Sequence, residues 1–366
     1  MKPGHYQTRL SRNLITAFIL FGLLAGCAAI GPDAIRSGRL TYNEAIGETN
    51  NQQMLLSIIK NRYEEGSNLL AVTSVTANVS VTTSAGIQLG FGDQDNYAGN
   101  LVPFSAGAVY EENPTISYTP VAGAKYARQV FSPVPISVLA QLTGTLHDPA
   151  YIYDALVSSV NGTHNPGFLF LPTDLDPQFS RIVTIITRLT QAHRLHWVED
   201  GQQSGRFSIV IDQYAPTYLA EVDELLGLIG LSAPRDPASR VIVPVFLALD
   251  SRDSSGMGLT TRSVGDLMEI LSAAIEIPDD DQHSGVAATY PRLGLAGEKL
   301  RVHHSTARPE HAAVAVQYRD SWFYIDETDQ ATKRFFRLMS ALWSATIADS
   351  ASKGFAAPVL TVPVSR

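Results

Sequence analysis

Strict alternation of apolar and polar residues marks the stretch from Val75 to Thr82. Valine or alanine occupies every odd position there, and threonine, asparagine or serine occupies every even one. A period of two places each set on one face of an extended chain, so the pattern predicts a strand with one wet face. Two further strands are predicted over 101–110 and 115–121. The whole stretch 63–124 contains no Lys or Arg.

Helical spacing of apolar residues precedes this region. Leu55, Ile58 and Ile59 fall on one helical face, which Tyr63 shares. Thr41 is a suitable N-cap, so the sequence predicts a helix from Thr41 to about Tyr63.

Local capping signals predict where later helices begin and end. Asp is a good N-cap and Pro fits the first helical turn, so two Asp-Pro pairs are expected to start helices. The signals are Asp148-Pro149 and Asp176-Pro177 as starts, Asn161-Gly162 as the end of the first of these helices, and Ser263 with Asp266 as a capping box.

The second half of the chain mixes strands with these helices. The segment VIVPVFLAL is apolar on both faces, which predicts a strand buried on both sides, although Pro244 favours an edge position or a bulge. Other predicted elements are strands at 207–211, 300–304, 312–318 and in SWFYID, a turn at Arg319-Asp320, and a last helix over 331–347. This order predicts an α+β fold of mixed β-sheets with packed helices over 133–366, after a helix and a β-rich region in 41–132.

The amino terminus has three parts. Lys2, Arg9 and Arg12 form a positive head, and an apolar run covers Leu14 to Leu24. Small residues then lead to the only cysteine of the chain. This is the pattern of a secretory signal, and its core is shorter than the roughly 20 apolar residues that a membrane-spanning helix needs.

The sequence Leu24-Ala25-Gly26-Cys27 resembles the lipobox of bacterial lipoproteins. In that family the cysteine thiol receives a diacylglycerol, a peptidase cleaves before it, and the new amino terminus is acylated. The resemblance implies a signal peptide of 1–27, a lipid anchor on Cys27 and a tether of 28–40. Ala28 and Ala29 follow in place of an aspartate, which in that family favours the outer membrane, here on its periplasmic side.

Two longer segments carry a second resemblance. PTISYTPVAGAKYARQVFSPVP and SWFYIDETDQATKRFF resemble segments of bacterial envelope lipoproteins of no established activity. This likeness therefore implies an envelope protein and assigns no functional residue.

The charge composition of the chain limits the classes of partner that it can bind. Without the three basic residues of the signal, 24 Lys and Arg stand against 35 Asp and Glu, a formal charge of −11. Such a chain lacks the basic face that nucleic acid needs, so we expect no nucleic-acid partner. A lone cysteine allows no disulfide within the chain, and stability must come from a hydrophobic core.

Few residues of the sequence suggest a catalytic, metal-binding or ligand-binding role. Asp326, Glu327 and Asp329 lie between a predicted strand and a helix, where carboxylates act either in catalysis or as helix caps. The run 279–281 is expected to be a solvated acidic loop. Histidines at 193, 196, 303, 304 and 311 lack zinc-site spacing, so no metal or other cofactor is expected. The aromatic residues of 322–324, with Phe335, Phe336 and Trp343, fit either a core or a ligand pocket.

These observations favour a non-catalytic role, as a structural or assembly partner in an envelope complex that is held at the membrane by lipid. Two alternatives stay open. One is an oligomeric outer-membrane pore or export subunit with β-hairpins from 69–121, because its alternating segments approach the 9–11 residues of a transmembrane strand. The other is a hydrolase of envelope polymers that uses Asp326 and Asp329.

Overall fold

The computed structural model describes most of the chain from residue 40 onward. The described residues are 40–66, 69–76, 79–87, 104–112, 115–121, 124–145, 148–168, 177–201, 205–232, 234, 236, 240–248, 255–291, 294, 297–352 and 360–363. They belong to two compact units. The first draws on Met1–Asn50, Val72–Thr119 and Pro358–Arg366, and the second on Asn51–Ala71 and Pro120–Ala357.

The elements alternate between strands and helices along the chain. The strands are β1 (Leu69–Thr76), β2 (Val79–Ile87), β3 (Phe104–Glu112), β4 (Thr115–Val121), β5 (Val157–Val160), β6 (Thr163–His164), β7 (Leu195–Glu199), β8 (Phe207–Ile211), β9 (Val241–Leu247), β10 (Met257–Thr261), β11 (His303–Ser305), β12 (Ala312–Tyr318), β13 (Ser321–Asp326) and β14 (Leu360–Pro363). The helices are α1 (40–62), α2 (Ala124–Phe131), α3 (Ile136–Thr145), α4 (Pro149–Leu156), α5 (Pro177–Gln191), α6 (Leu219–Leu228), α7 (Val264–Ala273), α8 (Asp279–Ser284) and α9 (Gln330–Ser352). The α+β class predicted from the sequence is confirmed.

Two small sheets follow α1 in the chain, in which β4 pairs antiparallel with β14 and β2 pairs antiparallel with β3. One has the order β1-β4-β14, and β2 pairs with β3 alone. The prediction of a single strand over 75–82 is wrong, because β1 ends at Thr76 and β2 begins at Val79, and the two have different pairing partners. The strand predicted over 115–121 is confirmed as β4.

The hairpin of β2 and β3 pairs nine residues of each strand without a register shift. Directly paired residues share a face of the hairpin. One face takes the pairs Val79–Glu112, Val81–Tyr110, Thr83–Ala108, Ala85–Ala106 and Ile87–Phe104, and the other takes Ser80–Glu111, Thr82–Val109, Ser84–Gly107 and Gly86–Ser105. In sequence, the first set of paired positions is therefore mostly apolar, and the second set consists mainly of Ser, Thr and Gly.

Helix α1 confirms the helix predicted to end near Tyr63, but Leu40 is already helical, so the prediction that Thr41 is its N-cap is wrong. Leu55, Ile58 and Ile59 are fully buried on one side of the helix, as their spacing predicts. The helix ends before Tyr63, which is itself buried, and Glu64 follows with a left-handed φ of 55°.

The second unit contains a six-stranded mixed sheet of order β6-β5-β10-β9-β8-β7. Only the β9–β10 pair is parallel among these strands, and the other pairs are antiparallel. Residues from β8, β9 and β10 join helices α4 to α7 in one hydrophobic cluster, which covers one face of the sheet.

Strand β9 corrects the prediction that VIVPVFLAL is buried on both sides. Val241, Val243 and Val245 point into the core, whereas Ile242 is 60% exposed and Pro244 is also exposed. Both faces are apolar in sequence, but the hydrophobic core lies on one side only. Pro244 is not on an edge strand either, since β9 lies between β8 and β10, and pairing with β10 begins one residue later, at Val245.

Helix α4 is shorter than the capping signals predict. Asp148 caps it as expected, with the backbone N–H of Tyr151 donating to Oδ1 at 3.2 Å. The helix ends at Leu156, and β5 follows directly, so the expected end at Asn161-Gly162 is wrong. These two residues instead form the turn between β5 and β6. The reason is tertiary, because β5 pairs with β10 about 100 positions away in sequence.

The other capping predictions are confirmed where their residues are among those that the structure describes. Ser263 and Asp266 form a capping box at the start of α7, with bonds of 2.7 and 3.1 Å. Helix α5 begins at Pro177, while Asp176 lies outside the described residues. The acidic run Asp279–Asp281 is not a loop as predicted, because it forms the first turn of α8, where acids are favoured by the helix dipole.

A three-stranded antiparallel sheet of order β11-β13-β12 completes the second unit. Strands β12 and β13 and the turn at Arg319-Asp320 match their predictions. Phe323 and Ile325 of β13 are fully buried and belong to the same cluster as Phe335 and Met339 of α9. No helix among the described residues is long and apolar enough to cross a membrane.

Candidate functional site

The two carboxylates singled out in the sequence stand at the connection from β13 to α9. Asp326 is the last residue of β13, and its Oδ1 accepts bonds from the backbone N–H and the hydroxyl of Thr328, at 2.7 and 2.6 Å. These bonds hold the pKa of Asp326 below its ordinary value. A carboxylate in this state is a poor proton donor near neutral pH.

Asp329 precedes the first residue of α9. Its Oδ1 accepts the backbone N–H of Thr332 at 3.0 Å, and its Oδ2 accepts the Thr332 hydroxyl at 2.6 Å. The same hydroxyl oxygen accepts the backbone N–H of Arg301 at 2.8 Å. Thr332 is fully buried, so Asp329 joins the cap of α9 to the segment before β11.

A cleft of about 450 Å³ lies beside the next turn of α9. Its walls come from α9, the β12–β13 hairpin and α1. The lining residues are Asn51, Ala313, Val314, Ile325, Gln330, Lys333, Arg334, Phe336 and Arg337. We call this feature the α9 cleft. Three of the nine lining residues are cations and none is acidic, although the chain as a whole is acidic.

The three cations of the α9 cleft have different partners. Lys333 donates from Nζ to the carbonyl oxygen of Glu327 at 2.7 Å. Arg334 pairs with Oδ2 of Asp148 at 2.9 Å. The exposed Arg337 makes no hydrogen bond or ion pair with the described residues. The positive charges of Lys333 and Arg337 thus have no carboxylate partner there.

Helix α4 positions the side chain of Arg334 through Tyr151. Its guanidinium carbon lies 3.7 Å from the centre of the Tyr151 ring, a cation–π contact. Burial raises the pKa of Tyr151 to about 12, while the charges of Arg334 and Arg337 act in the opposite direction. Tyr151 is therefore a neutral platform at physiological pH.

The histidines do not converge on a metal. Nδ1 of His303 lies 3.0 Å from Oε2 of Glu276, and His304 faces the Phe323 ring. His193 follows α5 with a left-handed φ, and His196 is exposed on β7. Among the residues that the structure describes, no group of three or more His, Cys, Asp or Glu side chains could hold a metal ion.

The aromatic residues divide between core and surface. Phe323, Phe335, Phe336 and Trp343 are buried in the hydrophobic cluster, as the core interpretation predicts. Phe336 also contributes to the wall of the α9 cleft. Trp322 lies on the opposite side of β13 from Phe323, with the guanidinium of Arg308 at 5.5 Å from its ring.

One buried cation was overlooked in the sequence. Arg262 is 5% exposed, and its Nη1 donates to the carbonyl oxygens of Asp154, Ala155 and Val157 at 2.9 to 3.1 Å. Desolvation lowers the pKa of Arg262 to about 10, which leaves it charged at neutral pH. Arg262 therefore caps the carboxyl end of α4 from the residue before the capping box of α7.

The lipobox residues Leu24, Ala25, Gly26 and Cys27 lie outside the described residues. No known protein family, curated protein or solved structure matches the chain. The candidate features are therefore the caps at Asp326 and Asp329 and the basic α9 cleft.

Proposed function

We propose that the protein is a lipoprotein anchored at the outer membrane through Cys27. It faces the periplasm and acts there as a non-catalytic structural or assembly partner of an envelope complex. The support for the anchor is the positive head, the short apolar run and the small residues before a unique cysteine. Two or three acyl chains hold a protein firmly, because each buried CH₂ contributes about 0.8 kcal/mol.

One observation carries the non-catalytic part of the proposal. Asp326 and Asp329, the carboxylates best placed in sequence for catalysis, both accept local hydrogen bonds in the β13–α9 connection. Asp326 accepts from Thr328, and Asp329 caps α9 by accepting from Thr332. A general acid needs a raised pKa, whereas the pKa of Asp326 is lowered. Their contacts are those of structural residues.

The anchor is tested by mass spectrometry of the amino-terminal peptide from protein purified out of bacterial membranes. We expect Cys27 as the first residue, carrying a diacylglycerol and an amide-linked acyl chain. The variant Cys27→Ser is the matched control and should remain unprocessed. An unacylated Cys27, or intact chain in the cytosolic fraction, contradicts the proposal.

The partner is tested by mild cross-linking of whole cells, followed by purification of the tagged protein from membranes. The same envelope protein should be recovered from wild type and from a strain expressing Asp326→Asn. If Asp326→Asn instead removes a cellular phenotype while the folded protein and its cross-links persist, the hydrolase alternative replaces this proposal.

The β2–β3 hairpin favours a second candidate function, an oligomeric pore or export subunit. Nine paired residues reach about 27 Å at 3.4 Å per residue, close to the thickness of a membrane's hydrocarbon region. One alternating set of paired positions is mostly apolar in sequence, and the other is mostly Ser, Thr and Gly. No Lys or Arg interrupts either strand.

Single-cysteine variants test this candidate. Cys27 is the only native cysteine and would be blocked by lipid, so each new cysteine reports alone. In membranes, Ser80→Cys, Thr82→Cys and Ser84→Cys should react with a membrane-impermeant maleimide, while Val81→Cys, Thr83→Cys and Ala85→Cys should not. Equal labelling of both sets, together with monomers on native gels, excludes the pore.

A further inference from the structure

We propose that the α9 cleft binds a phosphate monoester carried by a molecule with an apolar portion. This inference concerns a binding site that the envelope role does not require, and it does not depend on that role. It is argued from the charge, the shape and the lining of the cleft.

The charge of the cleft points to a dianion. Lys333 and Arg337 are four positions apart on α9, so their like charges face each other and destabilise the helix slightly. Arg334 is neutralised by Asp148 at 2.9 Å, while the other two cations have no carboxylate partner among the described residues. About two positive charges thus stay uncompensated in an acidic protein. A phosphate monoester carries about −1.5 to −2 charges at pH 7 and would compensate them.

The geometry of the donors fits phosphate better than a single carboxylate. Arginine offers a planar fork of N–H donors, and lysine adds a compact point charge. Asn51 and Gln330 contribute amide groups to the same lining.

The remaining walls of the cleft are apolar. They are formed by Ala313 and Val314 of β12, Ile325 of β13 and Phe336 of α9. A volume of about 450 Å³ lies within the range of roughly 300–1,000 Å³ for small-molecule sites. Inorganic phosphate alone would leave most of this space empty. The ligand is therefore expected to add an apolar body, as a phospholipid or a phosphorylated small molecule does.

The test measures binding by isothermal titration calorimetry on the full-length protein at low salt. Dihexanoyl phosphatidic acid below its micellar concentration is the main probe, because it carries a phosphate monoester and short acyl chains. Dihexanoyl phosphatidylcholine presents a neutral headgroup on the same chains, and inorganic phosphate presents the anion alone. Wild type should bind phosphatidic acid and should not bind phosphatidylcholine.

The cleft variant is Lys333→Gln with Arg337→Gln, which removes the two uncompensated charges. Its affinity for phosphatidic acid should fall by at least about tenfold, the effect of roughly one charge-assisted hydrogen bond. The control variant Lys299→Gln with Arg308→Gln removes two exposed cations outside the cleft and should bind like wild type. The exposed side chain of Arg337 allows Arg337→Gln alone to be used if the double variant is unstable, with a smaller loss expected.

The probes also separate the sources of the phosphate group. Tight binding of phosphatidic acid with weak binding of inorganic phosphate assigns the site to a lipid headgroup. Equal binding of both contradicts the apolar portion of the proposed ligand and assigns the site to a free phosphate group. The inference is overturned if wild type binds neither probe at millimolar concentration, or if cleft and control variants lose affinity equally.

Discussion

The hydroxyl of Tyr63 donates a hydrogen bond of 2.6 Å to Oδ2 of Asp281, joining the end of α1 to α8 across 218 positions of sequence. The guanidinium of Arg319 lies 4.9 Å from the centre of the Tyr63 ring and 3.9 Å from the other Asp281 oxygen. Burial and the bond to Asp281 both raise the pKa of Tyr63. The end of α1, helix α8 and the turn between β12 and β13 thus contact one another at Tyr63.

Removing this hydroxyl should destabilise the second unit. For Tyr63→Phe we expect a loss of about 1.5 kcal/mol in the free energy of unfolding, the lower end for a hydrogen bond to a charged group, because Asp281 stays partly hydrated. Urea unfolding followed by circular dichroism measures it. Tyr324→Phe is the control, since the Tyr324 hydroxyl makes no hydrogen bond with the described residues. Equal effects of the two variants would show that the Asp281 bond is not stabilising.

Arg262 should be among the most sensitive positions of the chain. Arg262→Met keeps much of the side-chain volume but removes the guanidinium donor from three carbonyl oxygens at the end of α4. Those of Asp154 and Val157 keep a bond from Asn165, so the carbonyl oxygen of Ala155 is the most affected. A buried acceptor left without its donor costs about 1–3 kcal/mol, and we expect the free energy of unfolding to fall by about that amount. Arg308→Met, at an exposed arginine, should change stability by less than about 0.5 kcal/mol. Thermal melts of both variants provide the comparison, and similar melting temperatures would refute the capping role.

Local patterns predicted those elements whose causes are local. Strands β12 and β13 match their predicted bounds because alternation and a turn at Arg319 define them within the segment. The capping box of Ser263 and Asp266 needs only residues three apart. In these cases the chain carries both the pattern and its partner within a few residues.

The features missed by the sequence depend on distant partners. The side chain of Asn161 bonds Ile229, Gly256 and Gly258, residues 68 to 97 positions away, and no local pattern announces those contacts. The carbonyl partners of Arg262 lie more than 100 positions away. The α9 cleft had a local signal, since Lys333, Arg334 and Arg337 stand within five positions of one predicted helix in an acidic chain. Most of its apolar lining comes from β12 and β13, so its shape could not be read from that helix alone.

Substitutions of Asp329 distinguish a structural role of this residue, as the cap of α9, from a catalytic role. Asp329→Ala removes the acceptor for Thr332 at the start of α9, and an N-cap loss costs about 1 kcal/mol. We expect this loss in urea unfolding, and a partial recovery in Asp329→Asn, which keeps one acceptor oxygen. A catalytic role would instead give full stability with lost function in both variants.

Acid unfolding should reveal the contribution of Asp326. Its pKa is lowered in the folded protein, by the bonds from Thr328, so the folded state favours the carboxylate more than the unfolded state does. The resulting stability is present above the unfolded pKa of about 4 and is lost as pH falls through the folded value. Asp326→Asn should therefore be less stable than wild type at pH 6, and the difference should shrink towards pH 2. A difference that is constant with pH would contradict this account.

Two glycines of the second unit should respond in opposite directions to the same change. A Cβ atom at Gly256 would overlap the carbonyl oxygen of Pro244, a backbone atom of the strand that pairs with β10. Gly256→Ala must therefore push β9 and β10 apart at the start of their parallel ladder, and we expect a loss of about 1–3 kcal/mol.

Gly227 is the matched control for that substitution, because it lies within α6 and a Cβ there would meet nothing within 4 Å. Alanine has the higher helix propensity, so Gly227→Ala should stabilise the protein by about 0.5–1 kcal/mol. Chemical unfolding of both variants under identical conditions measures the two shifts. If both variants are stabilised, the contact between Gly256 and Pro244 is not as close in solution as the structure has it, and the β9–β10 register would need revision.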